Sequence, residues 1–165
     1  MTCYTAKHKV PFEIDEDDWN RIKGYTWREL PCGYIATVIG IKNCGKYRQK
    51  TVYLHKMIMD APSGFQVDHI DGNRKNNKKS NLRICTGHQN VWNRKKQKGS
   101  SKYKGVSWHD WNKTWMAGIR HNNKKIFLGY FKIEEEAARA YDEKAVELFG
   151  EFARTNVMEG LLNEQ

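Results

Sequence analysis

The chain has 165 residues, with 29 Lys or Arg against 19 Asp or Glu, for a formal charge of +10. That length is room for one domain or for two or three small ones, and 12 % aromatic residues, six Trp among them, exclude a disordered tail. No apolar run approaches the ~20 residues of a membrane-spanning helix, and the first residues lack the apolar stretch of a signal peptide, so the expectation is a cytoplasmic, intracellular protein with no membrane partner.

Residues 1–55 read as a small mixed unit. Asp15-Glu16-Asp17-Asp18 offers helix-start carboxylates and Gly24 a helix stop. Two strand-like runs, 33–39 and 48–54, flank a turn at Asn43-Cys44-Gly45-Lys46 and predict a hairpin. Leu54–Met59 is a short helix ended by Pro62. A loop at Asp71-Gly72-Asn73 follows, then a helix from Thr86 to about Lys95. A polar Gly/Ser/Lys stretch, 95–104, reads as a linker.

Residues 103–131 alternate as three strands, with Trp115, Ala117 and Ile119 on one face and Met116, Gly118 and Arg120 on the other. Asn122-Asn123 is a two-residue hairpin turn. Glu134 to Phe149 forms a helix with three Glu in its first turn, an apolar face at Ala138, Tyr141, Ala145 and Leu148, and Gly150 as its stop. The four cysteines, at 3, 32, 44 and 85, are widely spaced with no C-x-x-C, so reduced thiols are expected and no structural zinc.

Charge is concentrated in the middle of the chain. Residues 1–68 carry +2, residues 69–104 carry 11 cations against one acid for +10, and residues 105–165 carry −2. Such a segment, interleaved with Asn, His and Trp, fits a polyanion partner, and nucleic acid before a membrane surface.

Within it stands Val67-Asp68-His69-Ile70-Asp71-Gly72-Asn73, then Ser80-Asn81-Leu82-Arg83, then His88-Gln89-Asn90-Val91-Trp92-Asn93-Arg94. Phosphodiester hydrolysis needs these parts: oxygen ligands for a hard divalent cation, an imidazole to take a proton from water, and cations to hold the backbone. The run resembles the His-Asn-His (HNH) homing endonucleases, the ββα-metal nucleases of phage and intron-encoded type. The resemblance implies His69 as general base, Asp68 and Asn90 as ligands of one divalent metal, and Asn81, 12 residues after His69, as the residue holding the loop that positions it. The third motif position is Asn rather than His, which favours Mg²⁺ or Mn²⁺ over zinc. Arg83, Arg94, Lys95 and Lys96 are expected on the DNA backbone.

A second resemblance rests on Tyr103-Lys104-Gly105-Val106, Trp115-Met116-Ala117-Gly118-Ile119-Arg120, Leu128-Gly129-Tyr130-Phe131 and Ala137-Ala138-Arg139-Ala140-Tyr141-Asp142. These are similar to the DNA-binding domain of the plant APETALA/ethylene-response factors, which lays a three-stranded sheet in the major groove with its helix behind. The resemblance makes Ser107, His109, Met116, Gly118, Arg120, Lys125 and Phe127 groove-facing. Plant members carry Arg at the positions of Ser107 and His109 and Glu at that of Gly118, so most strong base-edge donors are missing here.

The expected fold is therefore α+β: a ββα-metal nuclease unit followed by a small three-stranded antiparallel sheet packed on one helix. The expected organisation is a β-rich leader at 1–63, the nuclease motif at 64–98, a linker at 99–102, the DNA-binding domain at 103–157 and a tail at 158–165. The expected function is a metal-dependent DNA endonuclease of homing or mobile-element type, natural as a nicking enzyme. Its partner would be double-stranded DNA, without a small-molecule cofactor, and the chain a monomer or weak dimer. The rival readings are a DNA-binding regulator with a decayed nuclease motif and a structural RNA-binding protein.

Overall fold

A computed structural model describes residues 1–43 and 46–163. The chain divides into two compact units, residues 1–90 and 91–165, with the boundary in the last turn of a helix.

The first unit begins with paired strands β1 (Thr2–Tyr4) and β2 (Pro11–Glu13). The predicted acidic helix start is a 3₁₀ turn, Glu16–Asp18, running into the one-turn helix α1 (Trp19–Ile22). This helix ends before Gly24, and the indole of Trp27 donates to the Ile22 carbonyl at 3.0 Å.

Strand β3 (Arg28–Glu29) pairs with β4 (Ile35–Asn43), which forms the predicted antiparallel hairpin with β5 (Lys46–Tyr53). The turn expected at Asn43-Cys44-Gly45-Lys46 falls on residues 44 and 45, which lie outside the described residues. Helix α2 (Leu54–Met59) follows directly. Strands β6 (Gln66–His69) and β7 (Leu82–Cys85) pair antiparallel, with His69 opposite Leu82 and Asp68 opposite Arg83.

Helix α3 spans Gly87–Trp92, shorter than the sequence expectation of Thr86 to about Lys95. Thr86 and Gln89 close its start reciprocally, Gln89 N–H donating to Thr86 Oγ1 and Thr86 N–H to Gln89 Oε1. Its end tightens to an i,i+3 bond, Arg94 N–H to the Val91 carbonyl, which stops propagation. The core of this unit gathers Phe12, Ile14, Ile22, Ile35, Leu54 and Val67.

The second unit is a three-stranded antiparallel sheet of β8 (Val106–His109), β9 (Thr114–His121) and β10 (Lys124–Phe131), with β9 central. Asn122 and Asn123 take φ of 48° and 62°, the geometry a two-residue hairpin demands. Helix α4 (Glu134–Phe149) packs across the sheet and stops at Gly150.

Ala117, Ala137, Ala138 and Ala145 are each 0 % exposed, so helix and sheet approach closely. Gly105 makes a similar approach possible: a Cβ there would lie 1.8 Å from the Tyr141 ring, and its φ is +79°. Tyr103, at 1 % exposure, is a core residue rather than linker. The architecture is thus mixed α and β, built of several small antiparallel sheets.

Candidate active site and the open sheet face

The end of β6 places Asp68 and His69 side by side in the chain, at 7 % and 3 % exposure. The pleat sends adjacent side chains to opposite faces. Arg83, on the paired strand β7, donates through Nη2 to Asp68 Oδ2 at 2.8 Å and through Nε at 3.1 Å. His69 Nε2 lies 3.3 Å from Asn77 Oδ1. Burial pushes the His69 imidazole below the usual histidine range; the Asn77 bond and the carboxylates of Asp71 and Asp68 oppose this, and Arg74 adds to it.

The loop after β6 is knotted by amides. Asn81 Oδ1 accepts from Asp71 N–H at 3.0 Å, while Asn81 Nδ2 donates to Asp71 Oδ1 at 2.9 Å and to the Asn76 carbonyl at 2.8 Å. The Asn81 carbonyl accepts from Ile70 N–H at 2.9 Å, directly beside His69. Burial raises the Asp71 carboxyl, but donors from Asn73, Asn76 and Asn81 win and hold it below its ordinary value. A carboxylate with three donors is a rigid anchor for this loop.

Asn90 stands on α3. Its Nδ2 donates to Gln66 Oε1 on β6 at 2.6 Å, which leaves the carbonyl oxygen out of that bond. Asn90 and Gln66 line a cavity of about 230 Å³ with Tyr34, Tyr53 and His55.

His55 lies outside the motif run, yet its ring centroid lies 5.1 Å from that of His69 and 4.9 Å from that of Tyr34. His55 is 4 % exposed, and its Nδ1 is buried without a hydrogen-bond partner. Burial, with help from His69 and Lys56, pushes His55 down to about 3, so it is neutral. Tyr34 also touches His69, at 5.9 Å between ring centroids. These neighbours come from β4, β5 and α2, and no local motif around Asp68 points to them.

In the second unit the register places Ser107, His109, Met116, Gly118, Arg120, Lys125 and Phe127 together on the sheet face opposite α4. Strict alternation puts Tyr130 on the helix side. A bulge between Phe127 and Gly129 turns it to the open face, where its ring packs 5.1 Å from His109 and 4.9 Å from Phe127. Arg94, Lys95 and Lys96 line, with Lys104 and Lys125, a cationic cavity of about 500 Å³ that reaches Ser107 and Met116.

The first unit thus joins a buried imidazole, a buried carboxylate and an amide-tied loop on one strand pair. The HNH endonuclease family matches residues 60–91. The chain is 33 % identical over 146 residues, 87 % of its own length and 73 % of the relative's, to an uncharacterized HNH endonuclease of Acanthamoeba polyphaga mimivirus. It is 35 % identical over 94 residues to protein 3.8 of Escherichia phage T7, covering 56 % of this chain and 77 % of that one.

A separate similarity covers 61 residues, 36 % of this chain, at 46 % identity to the ethylene-responsive transcription factor WRI1 of Arabidopsis thaliana, of which it spans 14 %. The chain belongs to the HNH endonuclease family, and by class it is a DNA endonuclease. No helix among the described residues is long and apolar enough to cross a membrane.

Proposed function

We propose that this protein is a metal-dependent endonuclease of homing or mobile-element type that nicks duplex DNA. Residues 64–98 would form the ββα-metal cutting unit behind the leader at 1–63. The linker at 99–102 would lead to a DNA-targeting domain at 103–157, with 158–165 as its tail. The observation that carries the reading is the Asn81–Asp71 clasp, which fixes the loop leaving His69 while β7 supplies a cation to Asp68.

HNH nucleases generally use a divalent metal. Among the described residues no group of three or more His, Cys, Asp or Glu could hold one, so a protein-only cage is not the fit. The Asp68 carboxylate and the Asn90 carbonyl are two hard oxygen donors, and they suit Mg²⁺ or Mn²⁺ that keeps water and phosphate as its other ligands. When bound there, such an ion supplies positive charge to the scissile phosphate and the leaving oxygen.

His69, neutral and held at Nε2 by Asn77, takes the proton of the attacking water. Asn81 keeps that ring in register by tying down the loop behind it. Arg83 balances the buried charge of Asp68 and, with Arg94, Lys95 and Lys96, faces the DNA backbone. Ser107, His109, Arg120, Lys125 and Phe127 meet the groove from the open sheet face. One such centre addresses one strand at a time, and the chain acts as a monomer or weak dimer inside the host cell.

The test is supercoiled plasmid incubated with Mg²⁺ or Mn²⁺. Open circles should form first and should vanish in excess chelator. Robust cutting in chelator would overturn metal dependence, and linear product without open circles would overturn nicking.

A further inference from the structure

The segment between β6 and β7 carries four cations: Arg74, Lys75, Lys78 and Lys79. Three are neutralised by carboxylates from the start of the chain. Lys75 Nζ sits 3.1 Å from Glu29, Lys78 Nζ 2.6 Å from Glu13, and Lys79 Nζ 2.9 Å from Asp18. These three staple the loop to the leader.

Arg74 differs. Among the described residues it pairs with no carboxylate. Its guanidinium lies over the Tyr34 ring, 4.5 Å from Cζ to the centroid. Nη1 donates to the Cys32 carbonyl. The same Tyr34 ring touches His69 and His55. An exposed, unneutralised guanidinium is therefore held on the ring that packs against His69, the proposed proton acceptor.

We propose that Arg74 is the phosphate-binding cation of the cutting centre, donating to a non-bridging oxygen of the scissile phosphodiester. This rests on the nuclease reading with His69 as base.

Stacking on Tyr34 and the bond to Cys32 hold the fork before DNA arrives, so little side-chain freedom is lost on contact. The remaining N–H groups of the guanidinium match the paired oxygens of a phosphate. As the water oxygen bonds to phosphorus, the bond to the leaving deoxyribose oxygen breaks. The water proton passes to His69, and the leaving oxygen takes a proton from solvent. Negative charge on the non-bridging oxygens rises at that moment, so a donor fixed there acts on the rate more than on affinity.

The experiment uses the full chain, with the cut site first mapped on the wild type. Single-turnover cleavage at saturating enzyme is then measured for Arg74→Ala and Arg74→Lys on normal duplex and on each phosphorothioate diastereomer at the cut. Arg74→Ala should lower the saturated rate about 10²-fold, the weight of one lost oxyanion donor, with affinity for DNA in chelator changed less than about tenfold. Arg74→Lys should not restore the rate, since a compact ammonium neither forks nor stacks in the same way. Millimolar guanidinium should recover part of the Arg74→Ala rate, and the rate loss from one phosphorothioate diastereomer should shrink in that variant.

An unchanged saturated rate would overturn the proposal. So would a slow variant with no guanidinium rescue and an unaltered phosphorothioate effect, which would make Arg74 a prop for Tyr34. The nuclease reading fails on a different result: a His69→Ala variant that cuts as fast as wild type, whatever Arg74→Ala does.

Discussion

In residues 1–90 the side chains of Asp18, His55, Asp68, His69, Asn77 and Asn81 are all under 9 % exposed and stand beside the apolar core. In residues 91–165 alanines let helix and sheet approach closely, around Val106, Ile119, Tyr141 and Phe149, and one group of buried polar side chains forms a clasp. There the Asp142 carboxylate accepts from Asn156 and Val157, and Asn156 Oδ1 accepts from Lys104 N–H at 2.6 Å. That clasp ties the segment after α4 to the chain entering β8. Polar burial is costly unless matched by hydrogen bonds. Where it is matched by local bonds, as at Asn156, it serves the fold. Where a ring nitrogen stays unmatched, as at His55, the cost falls beside the chemistry. Substitutions in the first unit should therefore strike rate, and those in the second should strike folding or affinity.

The largest effects sharpen the first half of that contrast. Asp68→Ala should bring plasmid cleavage below detection, because it removes the one carboxylate proposed for the metal and the oxygen that Arg83 donates to at 2.8 Å. His69→Ala should lower the cleavage rate by about 10²- to 10⁴-fold, the usual weight of a general base. DNA binding in chelator, read by gel shift, should be nearly unchanged for His69→Ala. Full-rate cutting by that variant would break the contrast.

Gly105→Ala probes the other half. The added methyl meets the Tyr141 ring, and the positive φ strains any side chain. The cost should be on the order of 3 kcal/mol. It should appear in thermal melts, and metal-dependent nicking of plasmid should persist at temperatures where the wild type is folded. A melting temperature equal to wild type would show that α4 is free to shift.

Affinity is a smaller effect. Arg120→Ala and Lys125→Ala should each reduce the log–log salt slope of DNA binding by about 0.9 if each neutralises one phosphate. Arg120→Ala should also relax base preference if it reaches a guanine edge. Variants with the wild-type slope and the wild-type footprint would make the open sheet face something other than a DNA reader.

The parts of this molecule that follow local rules were legible before the structure. The Asn122-Asn123 turn, the Ala-rich face of α4 and the β4–β5 hairpin each follow from side-chain period or turn chemistry within a few residues. Asp68, His69, Asn81 and Asn90 could be singled out because their spacing carries a family resemblance.

What stayed hidden depends on distant chain or on one irregular residue. The carboxylates that staple Lys75, Lys78 and Lys79 lie near the start of the chain, and Tyr34 and His55 reach His69 only through the packing of β4 and α2. The turn of Tyr130 to the open face came from the bulge before Gly129, whose φ of +143° is open to glycine. A glycine inside a strand is a signal for such a bulge, and it marked the place without giving the direction.

The effects expected on stability against pH run in the same sense in the two units, each gaining stability as pH rises through its own window. His55 falls from 6.5 to about 3 in the fold. Between those values the unfolded chain binds a proton that the folded unit refuses, so the first unit loses stability as pH drops below about 6.5. Lys104 is pushed from 10.5 down to about 8, chiefly by burial and then by Arg154, against the opposing charges of Glu159 and Asp142. Between pH 8 and 10.5 the unfolded chain again holds the extra proton, so this group makes the second unit more stable as pH rises through that range. Each contribution should appear as a pH-dependent shift of a melting transition, roughly 4–8 °C for each kcal/mol in a unit of this size. His55→Phe should flatten the acid limb of the first unit, and Lys104→Met the alkaline rise of the second. Because Lys104 Nζ also donates to the Trp92 carbonyl at 2.8 Å, Lys104→Met should lower the melting temperature at pH 10 while narrowing its difference from pH 7.5. If the alkaline rise survives in Lys104→Met undiminished, another group carries it, and the Lys104 ammonium is better solvated than its burial implies.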